Sequence, residues 1–323
     1  MKPSKILSLI TALVAAACFS ASAQAQTPDR MLAGFAPGGG VDILARIFAE
    51  KWSEAIGRPV VVENKAGAGG VIAMEALKSA PPDGNTLILA PDSNVAVYPH
   101  TVMKPAYNAL ADFVGIAHTG SSSIALGIST KVPAKTLAEF VAWTKANPKQ
   151  ASFGSSGAGS VLQFYGQMIA QETGAPLTHV PYRGVAPAIA DLAAGQIPAA
   201  VLPLGTILSQ VKAGKARVVA HSGAKRSAAE PDVPTFKELG YPSLEQPSWF
   251  GIFGPAGMNP AMVAKLNQIF VQAMRTSAIR ERMARLDLEI EELTPAQFAA
   301  KIKADYDQWG KVVKASGWDP SKH

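Results

Sequence analysis

The chain has very little cysteine, since Cys18 is the only one among 323 residues. Cys18 lies in an N-terminal segment that we expect to be removed, so the mature chain would hold no disulfide, no thiolate nucleophile and no cysteine-ligated metal. A chain without thiols also persists well in an oxidising compartment. Histidine is scarce too, and its five positions share no ligand spacing: His100, His118, His179, His221 and His323. The sequence therefore predicts neither a metal site nor a cofactor.

Charged residues are also few, at 17% of the chain, and no block of like charge occurs. The formal net charge is +6, and loss of Lys2 and Lys5 would leave 28 basic against 24 acidic residues. So mild an excess excludes a typical nucleic-acid-binding protein, although it slightly favours anionic ligands. Disorder is excluded as well, because 48% of the residues are hydrophobic.

The N-terminus has the layout of a secretory signal peptide. Lys2 and Lys5 precede an apolar run, and small residues follow up to Ala25. The run is too short for a comfortable membrane span, so a retained anchor is the less favoured alternative. Lipidation at Cys18 is disfavoured because three alanines precede it. We expect residues 1–25 to be a signal peptide, with cleavage after Ala23 or Ala25.

Nearly three hundred mature residues exceed one ordinary core and predict two domains. Strand and helix signals alternate along the first ninety residues, which predicts a mainly parallel sheet with helices on both faces. The predicted strands are 31–35, 60–62, 86–90, 113–117, 124–128, 177–180, 198–202, 217–221 and 250–253. Capping boxes at Thr136 to Glu139 and Thr294 to Gln297 predict two helix starts.

After Pro260 the sequence is nearly all helical, and such helices usually pack back on an earlier domain. We therefore predict an α/β fold of two domains, each a mixed, mainly parallel sheet flanked by helices. Residues 26–122 and 246–323 would form the first domain, and residues 123–245 the second. Crossings near 121–128 and 248–254 would act as a hinge, with the ligand beyond the carboxyl ends of the strands.

Two glycine-rich loops, 34–42 and 153–160, each between a strand and a helix, are the strongest candidates for ligand binding. Glycine lets another group approach the backbone closely, and the N–H groups at a helix start favour an anion. Either loop alone could be a plain turn, but two such loops facing one cleft would hold a buried carboxylate without lysine or arginine. The predicted ligand-binding residues are Phe35, Ala36, Pro37, Gly38, Gly39, Gly40, Asp42, Ser93, Asn94, Ser155, Ser156, Gly157, Gly159, Ser160, Tyr182 and Arg183.

Other site types fit these loops poorly. The first loop lacks the lysine of a P-loop, and its glycines are consecutive rather than spaced as in a dinucleotide fingerprint. Neither Ser155 nor Ser156 fits the Gly-x-Ser-x-Gly pattern of a hydrolase. For Arg183 a solvated surface position is the plainer interpretation. Trp249 and Phe250 could wall the cleft, but core packing is the plainer interpretation for them. We therefore predict a binding protein rather than an enzyme.

Several short segments occur in the order and spacing of one known family. They are 35–42 (Phe-Ala-Pro-Gly-Gly-Gly-Val-Asp), 60–64 (Val-Val-Val-Glu-Asn), 67–70 (Gly-Ala-Gly-Gly), 82–84 (Pro-Asp-Gly), 179–184 (His-Val-Pro-Tyr-Arg-Gly), 212–215 (Lys-Ala-Gly-Lys), 224–227 (Ala-Lys-Arg-Ser), 231–235 (Pro-Asp-Val-Pro-Thr) and 249–251 (Trp-Phe-Gly). On these segments the chain resembles, along nearly its whole mature length, the Bug family of periplasmic solute-binding proteins. Members of that family are the receptors of tripartite tricarboxylate transporters.

The resemblance implies a periplasmic protein whose two domains close on a small carboxylate, held largely by main-chain amides of the two glycine-rich loops. It also implies a membrane permease as partner, and we expect a monomer. One departure concerns 198–202, where the family often carries acidic residues and this chain has Pro-Ala-Ala-Val-Leu. We expect this to disfavour ligands with a positively charged amine. The alternatives are a secreted hydrolase that uses Ser155 or Ser156, and a ligand sensor for a membrane kinase.

Overall fold

The computed structural model of the chain describes residues 28–322, with Lys322 described by its backbone alone. The predicted signal peptide lies outside the described residues. Within them, ten strands form two sheets of five. The strands are β1 (Asp29–Ala33), β2 (Val60–Asn64), β3 (Thr86–Pro91), β4 (Phe113–Ser122), β5 (Ile124–Ser129), β6 (Ser152–Ser155), β7 (Thr178–Pro181), β8 (Ala199–Pro203), β9 (Ala216–His221) and β10 (Ser248–Pro255).

Helices cover the sheets and follow most of their strands. They are α1 (Gly40–Ile56), α2 (Val71–Lys78), α3 (Tyr98–Thr101), α4 (Leu137–Ala146), α5 (Val161–Thr173), α6 (Val185–Ala194), α7 (Leu204–Lys212), α8 (Pro260–Arg275), α9 (Ser277–Arg285) and α10 (Pro295–Ala315). Short 3-10 turns lie at Ala68–Gly70, Pro242–Leu244 and Pro320–Lys322, and a π-helical turn lies at Ser93–Val97. Within residues 28–322, no helix combines the length and the apolar character that crossing a membrane requires.

Both sheets are mixed, as predicted. The first has the order β2-β1-β3-β10-β4 and the second the order β7-β6-β8-β5-β9. In each sheet two of the four pairings are parallel and two are antiparallel. The antiparallel pairs involve β10 in the first sheet and β5 in the second, and both strands directly follow a passage from the other sheet. Parallel pairing is therefore less dominant than the strand–helix alternation suggests.

The chain passes between the sheets twice. β4 ends at Ser122 and β5 begins at Ile124, so the first passage lies at Ser123. The second lies between the end of β9 at His221 and the start of β10 at Ser248. The predicted domain boundaries stay a prediction, because a division of the sheets does not by itself define folding units.

Helix α10 packs on the cores of both sheets. Its Phe298 and Ile302 join the core cluster of the first sheet that contains Trp249. About two to four turns later, Trp309 and Val313 join the core cluster of the second sheet. The C-terminal helix therefore links the two halves of the molecule, although its sequence position was predicted to place it with the first domain alone.

Candidate ligand-binding cleft

A cavity of about 740 Å³ lies where elements of both sheets meet. Most of its lining belongs to segments that directly follow β1, β2, β3, β6, β7 and β8. The carboxyl ends of these strands thus open on the cavity, which is the usual position for ligands of open α/β sheets. Residues of the first passage, Ser122 and Ser123, also line it.

The wall from the first sheet is shaped by close backbone packing. Phe35, Gly69, Ser93 and Asn94 line the cavity, and the Asn94 side-chain amide donates to the carbonyl of Gly69 at 2.8 Å. Gly70 has a φ of +98°, and a Cβ there would lie 2.9 Å from Asn94 and 3.2 Å from Phe35. Gly70 is therefore required both by its left-handed backbone and by the lack of space for a side chain.

Of the first glycine-rich loop only Phe35 and Val41 belong to the lining. Residues 36–40 are exposed to solvent, whereas Asp42 is buried. The Asp42 carboxylate accepts from the Gly38 N–H at 2.9 Å and from the Asn64 amide at 2.8 Å, and it pairs with Arg46. The hydrogen bond from Arg46 is the main reason that the pKa of Asp42 falls to about 2. Asp42 therefore fixes the loop and does not face the cavity.

The second glycine-rich loop contributes a continuous stretch of wall, residues 156–162. Ser160 caps α5, because its Oγ accepts from the Gln163 N–H at 3.2 Å and donates to the Gly157 carbonyl at 2.7 Å. The Gln163 side chain in turn accepts from the Gly159 N–H at 2.7 Å. Of the predicted residues in this loop, Ser156, Gly157, Gly159 and Ser160 line the cavity.

Ser155 instead lies beneath the loop, in contact with a histidine. Its Oγ is 2.7 Å from Nε2 of His179, and Ser155 is fully buried and absent from the cavity lining. The His179 ring packs on Phe153 at 5.1 Å, and burial lowers the pKa of His179. Within residues 28–322, no carboxylate forms a hydrogen bond with His179. The pair has two members of a nucleophile–base arrangement but lacks both the orienting group and access to the cavity.

The predicted residues after β7 flank the cavity without lining it. Tyr182 donates from its hydroxyl to Asp191 at 2.7 Å, and burial, followed by this carboxylate, raises the pKa of Tyr182 to about 12. Arg183 is exposed. The lining here comes from the next two residues, Gly184 and Val185, where α6 begins.

Four helix starts therefore open on one cavity. Val41 lies at the start of α1, Val71 at the start of α2, Val161 at the start of α5 and Val185 at the start of α6. Each helix start has N–H groups without an intrahelical partner and a partial positive charge. Within the described residues, no lysine, arginine or histidine lines the cavity. The arrangement can thus hold an anion through main-chain N–H groups and hydroxyls.

Asp92 is the one acidic residue among the described residues of the lining. It is 2% exposed and accepts from the Ser93 N–H at 2.7 Å and the Ser248 hydroxyl at 2.9 Å, which ties β3 to β10. Burial is the main reason that the pKa of Asp92 rises to about 7. The sequence does not single out this residue, because an aspartate after a strand is most often a turn residue.

Two aromatic side chains also contribute to the lining. Trp318, near the C-terminus, lines the cavity and packs edge-on against Phe164 of α5 at 5.6 Å. Phe250 of β10 lines the cavity, whereas its neighbour Trp249 is fully buried in the core. Within the described chain, no group of three or more possible metal ligands occurs.

Comparison with known proteins identifies the family. Residues 44–318, most of the chain, match the tripartite tricarboxylate transporter family receptor. The chain belongs to this receptor family. The resemblance to Bug proteins is also confirmed, since BugT of Bordetella pertussis is 31% identical over 322 residues, which cover 98% of this chain and 99% of BugT.

Solved structures confirm the fold of a periplasmic binding protein. The structure of a periplasmic transporter is 36% identical, with a TM-score of 0.81, and the match covers 92% of this chain and 100% of that one. An R. palustris protein with adipate is 26% identical, with a TM-score of 0.81 and coverage of 91% and 98%. MatC from Rhodopseudomonas palustris with bound malate is 28% identical, with a TM-score of 0.76 and coverage of 88% and 98%. This member of the receptor family is thus a periplasmic solute-binding protein.

Proposed function

We propose that this receptor binds a carboxylate in its cleft and delivers it to the membrane permease of a tripartite tricarboxylate transporter. The observation that carries the proposal is the convergence of four helix starts on a cavity whose described lining has no basic side chain. An anion is the ligand that such an arrangement favours. The adipate and malate bound by related proteins support a carboxylate as that anion.

The loop at 156–162 is the proposed grip. Among the described residues, the N–H groups of Ala158 and Ser160 and the hydroxyl of Ser156 have no hydrogen-bond partner, and all three residues line the cavity. Each charge-assisted hydrogen bond to a carboxylate contributes about 1.5–3 kcal/mol, so a few of them give micromolar binding. The loop at residues 35–42 would complete the grip from the other side of the cleft when the cleft closes.

Closure would take place about the two passages between the sheets. Ser122 and Ser123 lie at the first passage, and Ser248, bonded to Asp92, lies at the second. Ser123 of the first passage and Ser248 at the end of the second line the cavity, so a bound carboxylate would contact residues next to the segments that must bend. The closed, loaded form is the one we expect the permease to recognise. We further propose that the mature protein begins after Ala23 or Ala25, is a monomer, and has no catalytic role.

Calorimetric titration tests the carboxylate proposal. The mature chain is unfolded, dialysed free of ligand, refolded, and titrated with carboxylates and with the corresponding neutral amides. We expect at least one carboxylate to bind and its amide not to bind. Ser156→Ala should weaken this binding by about 1–2 kcal/mol, whereas Ser209→Ala, on an exposed face of α7, should leave it unchanged. Equal binding of an acid and its amide would contradict an anion grip.

The contact between Ser155 and His179 is the one observation that favours a hydrolase. Because the Ser155 hydroxyl is buried beneath the loop, we expect it to stabilise the loop rather than to attack a substrate. Incubation with chromogenic esters of short and long acids should give no turnover above that of the Ser155→Ala variant. Ester hydrolysis that is lost in Ser155→Ala and in His179→Ala would favour the enzyme instead.

A further inference from the structure

The cavity walls away from the 156–162 loop are largely apolar. Apolar lining side chains come from both sheets and include Phe35, Val71, Val97, Val102, Val185 and Phe250. The cavity volume of about 740 Å³ lies within the range of roughly 300–1,000 Å³ found for sites of drug-sized ligands. A ligand that extends beyond its carboxylate therefore meets surfaces that favour hydrocarbon over charge.

The charge of the lining argues against a second carboxylate. Within the described residues, Asp92 is the only charged group of the lining. Its carboxyl already accepts from the Ser93 N–H, the Ser248 hydroxyl and the Trp249 N–H. When ionised it repels a second anion, and since three donors already satisfy it, it makes a poor partner for a ligand ammonium group. A second carboxylate would thus find no basic side chain among the described lining residues, and away from the 156–162 loop only neutral groups could replace its hydration.

Trp318 adds a flat apolar surface next to the loop. A Cβ on Gly159 would lie 3.4 Å from the Trp318 indole, so the indole lies directly against the loop. Its Nε1 donates to the carbonyl of Thr101 at 2.9 Å, and its edge packs on Phe164. These contacts fix the ring on two sides, while Trp318 still lines the cavity. A ligand held by the loop would therefore lie with its body along this ring, and a longer chain would cover more of it.

We propose that the cleft selects a monocarboxylate with an apolar body, aliphatic or aromatic, over dicarboxylates and amino acids of the same length. The 156–162 loop holds the carboxylate, and Trp318 with the valine and phenylalanine side chains of the wall holds the body. The inference rests on the proposed carboxylate function and specifies the ligand class of the same site.

Matched ligands separate this proposal from the carboxylate function itself. Calorimetry on the refolded, ligand-free mature chain at pH 8 would compare butanoate, hexanoate and octanoate, with adipate and 6-aminohexanoate as charged counterparts of hexanoate. We expect affinity to rise about fourfold per added methylene, the factor that corresponds to about 0.8 kcal/mol per buried CH₂. Adipate and 6-aminohexanoate should bind at least tenfold more weakly than hexanoate.

The outcomes are distinct. Binding of adipate or 6-aminohexanoate at least as tight as that of hexanoate would overturn the proposal and leave the carboxylate function standing. An affinity that does not rise with chain length would also overturn the proposal and leave the carboxylate function standing. If none of the carboxylates binds, the proposal and the carboxylate function both fail.

Variants at Trp318 test the wall independently. Trp318→Ala should reduce octanoate affinity at least tenfold and butanoate affinity clearly less, because the shorter chain covers less of the indole. Trp318→Phe should retain most of the octanoate affinity. An equal loss of affinity for octanoate and butanoate would show that Trp318 has a structural role only. It would overturn the proposal that its ring contacts the ligand body. Melting temperatures of the ligand-free variants would show that both remain folded.

Discussion

Gly159 and Gly174 lie at opposite ends of α5 and adopt the same left-handed conformation, with φ of +72° and +65°. Their surroundings differ. A Cβ on Gly159 would contact the Trp318 indole at 3.4 Å, whereas a Cβ on Gly174 would meet the Lys145 ammonium at 3.6 Å, far along the helix from the cavity. Substitution at Gly174 therefore shows the effect of backbone strain alone, and substitution at Gly159 shows that effect together with any effect on the binding loop.

We predict that Gly159→Ala lowers both stability and ligand affinity, whereas Gly174→Ala lowers stability alone. An alanine in the left-handed region costs about 1–2 kcal/mol at either site. At Gly159 the strained backbone belongs to the binding loop itself, which lines the cavity, so we expect a carboxylate that binds the wild type to bind about tenfold more weakly. Urea denaturation and calorimetry would measure the two quantities. An affinity loss of the same size in both variants would contradict a local role for Gly159.

The chemistry of single residues was better predicted from the sequence than the directions in which their side chains point. Glycine and serine before α5 indicate an anion-binding loop because residue type alone supplies the free N–H groups and hydroxyls. Asp42 was predicted to bind ligand, yet it pairs with Arg46 one turn later, an i,i+4 contact that the sequence does contain. Trp318 and Asp92 could not be predicted, because their partners Phe164 and Ser248 are distant along the chain.

At the scale of elements, the contact between β3 and β10 contains a buried carboxyl group. Asp92 at the end of β3 holds Ser248 at the start of β10, and burial raises the pKa of Asp92 to about 7. An unfolded aspartate has a pKa of about 3.9. Between these values the folded state binds a proton that the unfolded state does not, so the contribution of this group to stability falls as pH rises from about 4 to 7.

We predict that Asp92→Asn removes this part of the pH dependence. Relative to the variant, the wild type should lose up to about 1.4 kcal/mol of unfolding free energy per pH unit between pH 5 and 7, and nothing further above pH 8. Buried histidines such as His118, whose pKa burial lowers to about 4, act in the opposite direction over part of this range. These histidines are the same in the wild type and the variant, so their contribution cancels in the difference between the two unfolding free energies. Urea denaturation at each pH is the measurement, and a constant difference would contradict the raised pKa.

Strands and helices rich in apolar residues were predicted with nearly correct bounds, because the spacing of apolar residues indicates which positions are buried. β4 was predicted to end at Ala117 but continues to Ser122, where glycine and serine pair with β10 through the backbone alone. The capping box at Thr294 is confirmed, with both reciprocal hydrogen bonds present. At Thr136 the side chain caps the helix as predicted, but Glu139 reaches back to the Lys135 N–H, one residue farther than a capping box requires.

At the scale of the whole molecule, α10 couples the two sheets. Trp309 is 3% exposed and belongs to the core of the second sheet, while Phe298 of the same helix is fully buried in the core of the first. Neither core is complete without this helix. Two α/β units joined by two passages would otherwise be expected to unfold separately. The shared helix instead favours one cooperative transition for the ligand-free protein.

We predict that Trp309→Ala divides this transition in two. The substitution should cost about 3–5 kcal/mol, as is usual for a buried tryptophan, and it weakens the packing of α10 in the second core while Phe298 and Ile302 stay in the first. The matched control is Trp143→Ala, since Trp143 packs on Phe140 in the second core and, among the described residues, joins neither core cluster of the first sheet. That control should lower the melting temperature and keep a single peak. Differential scanning calorimetry distinguishes the two. Two peaks in the wild type, or one peak in both variants, would show that α10 does not couple the unfolding of the two sheets.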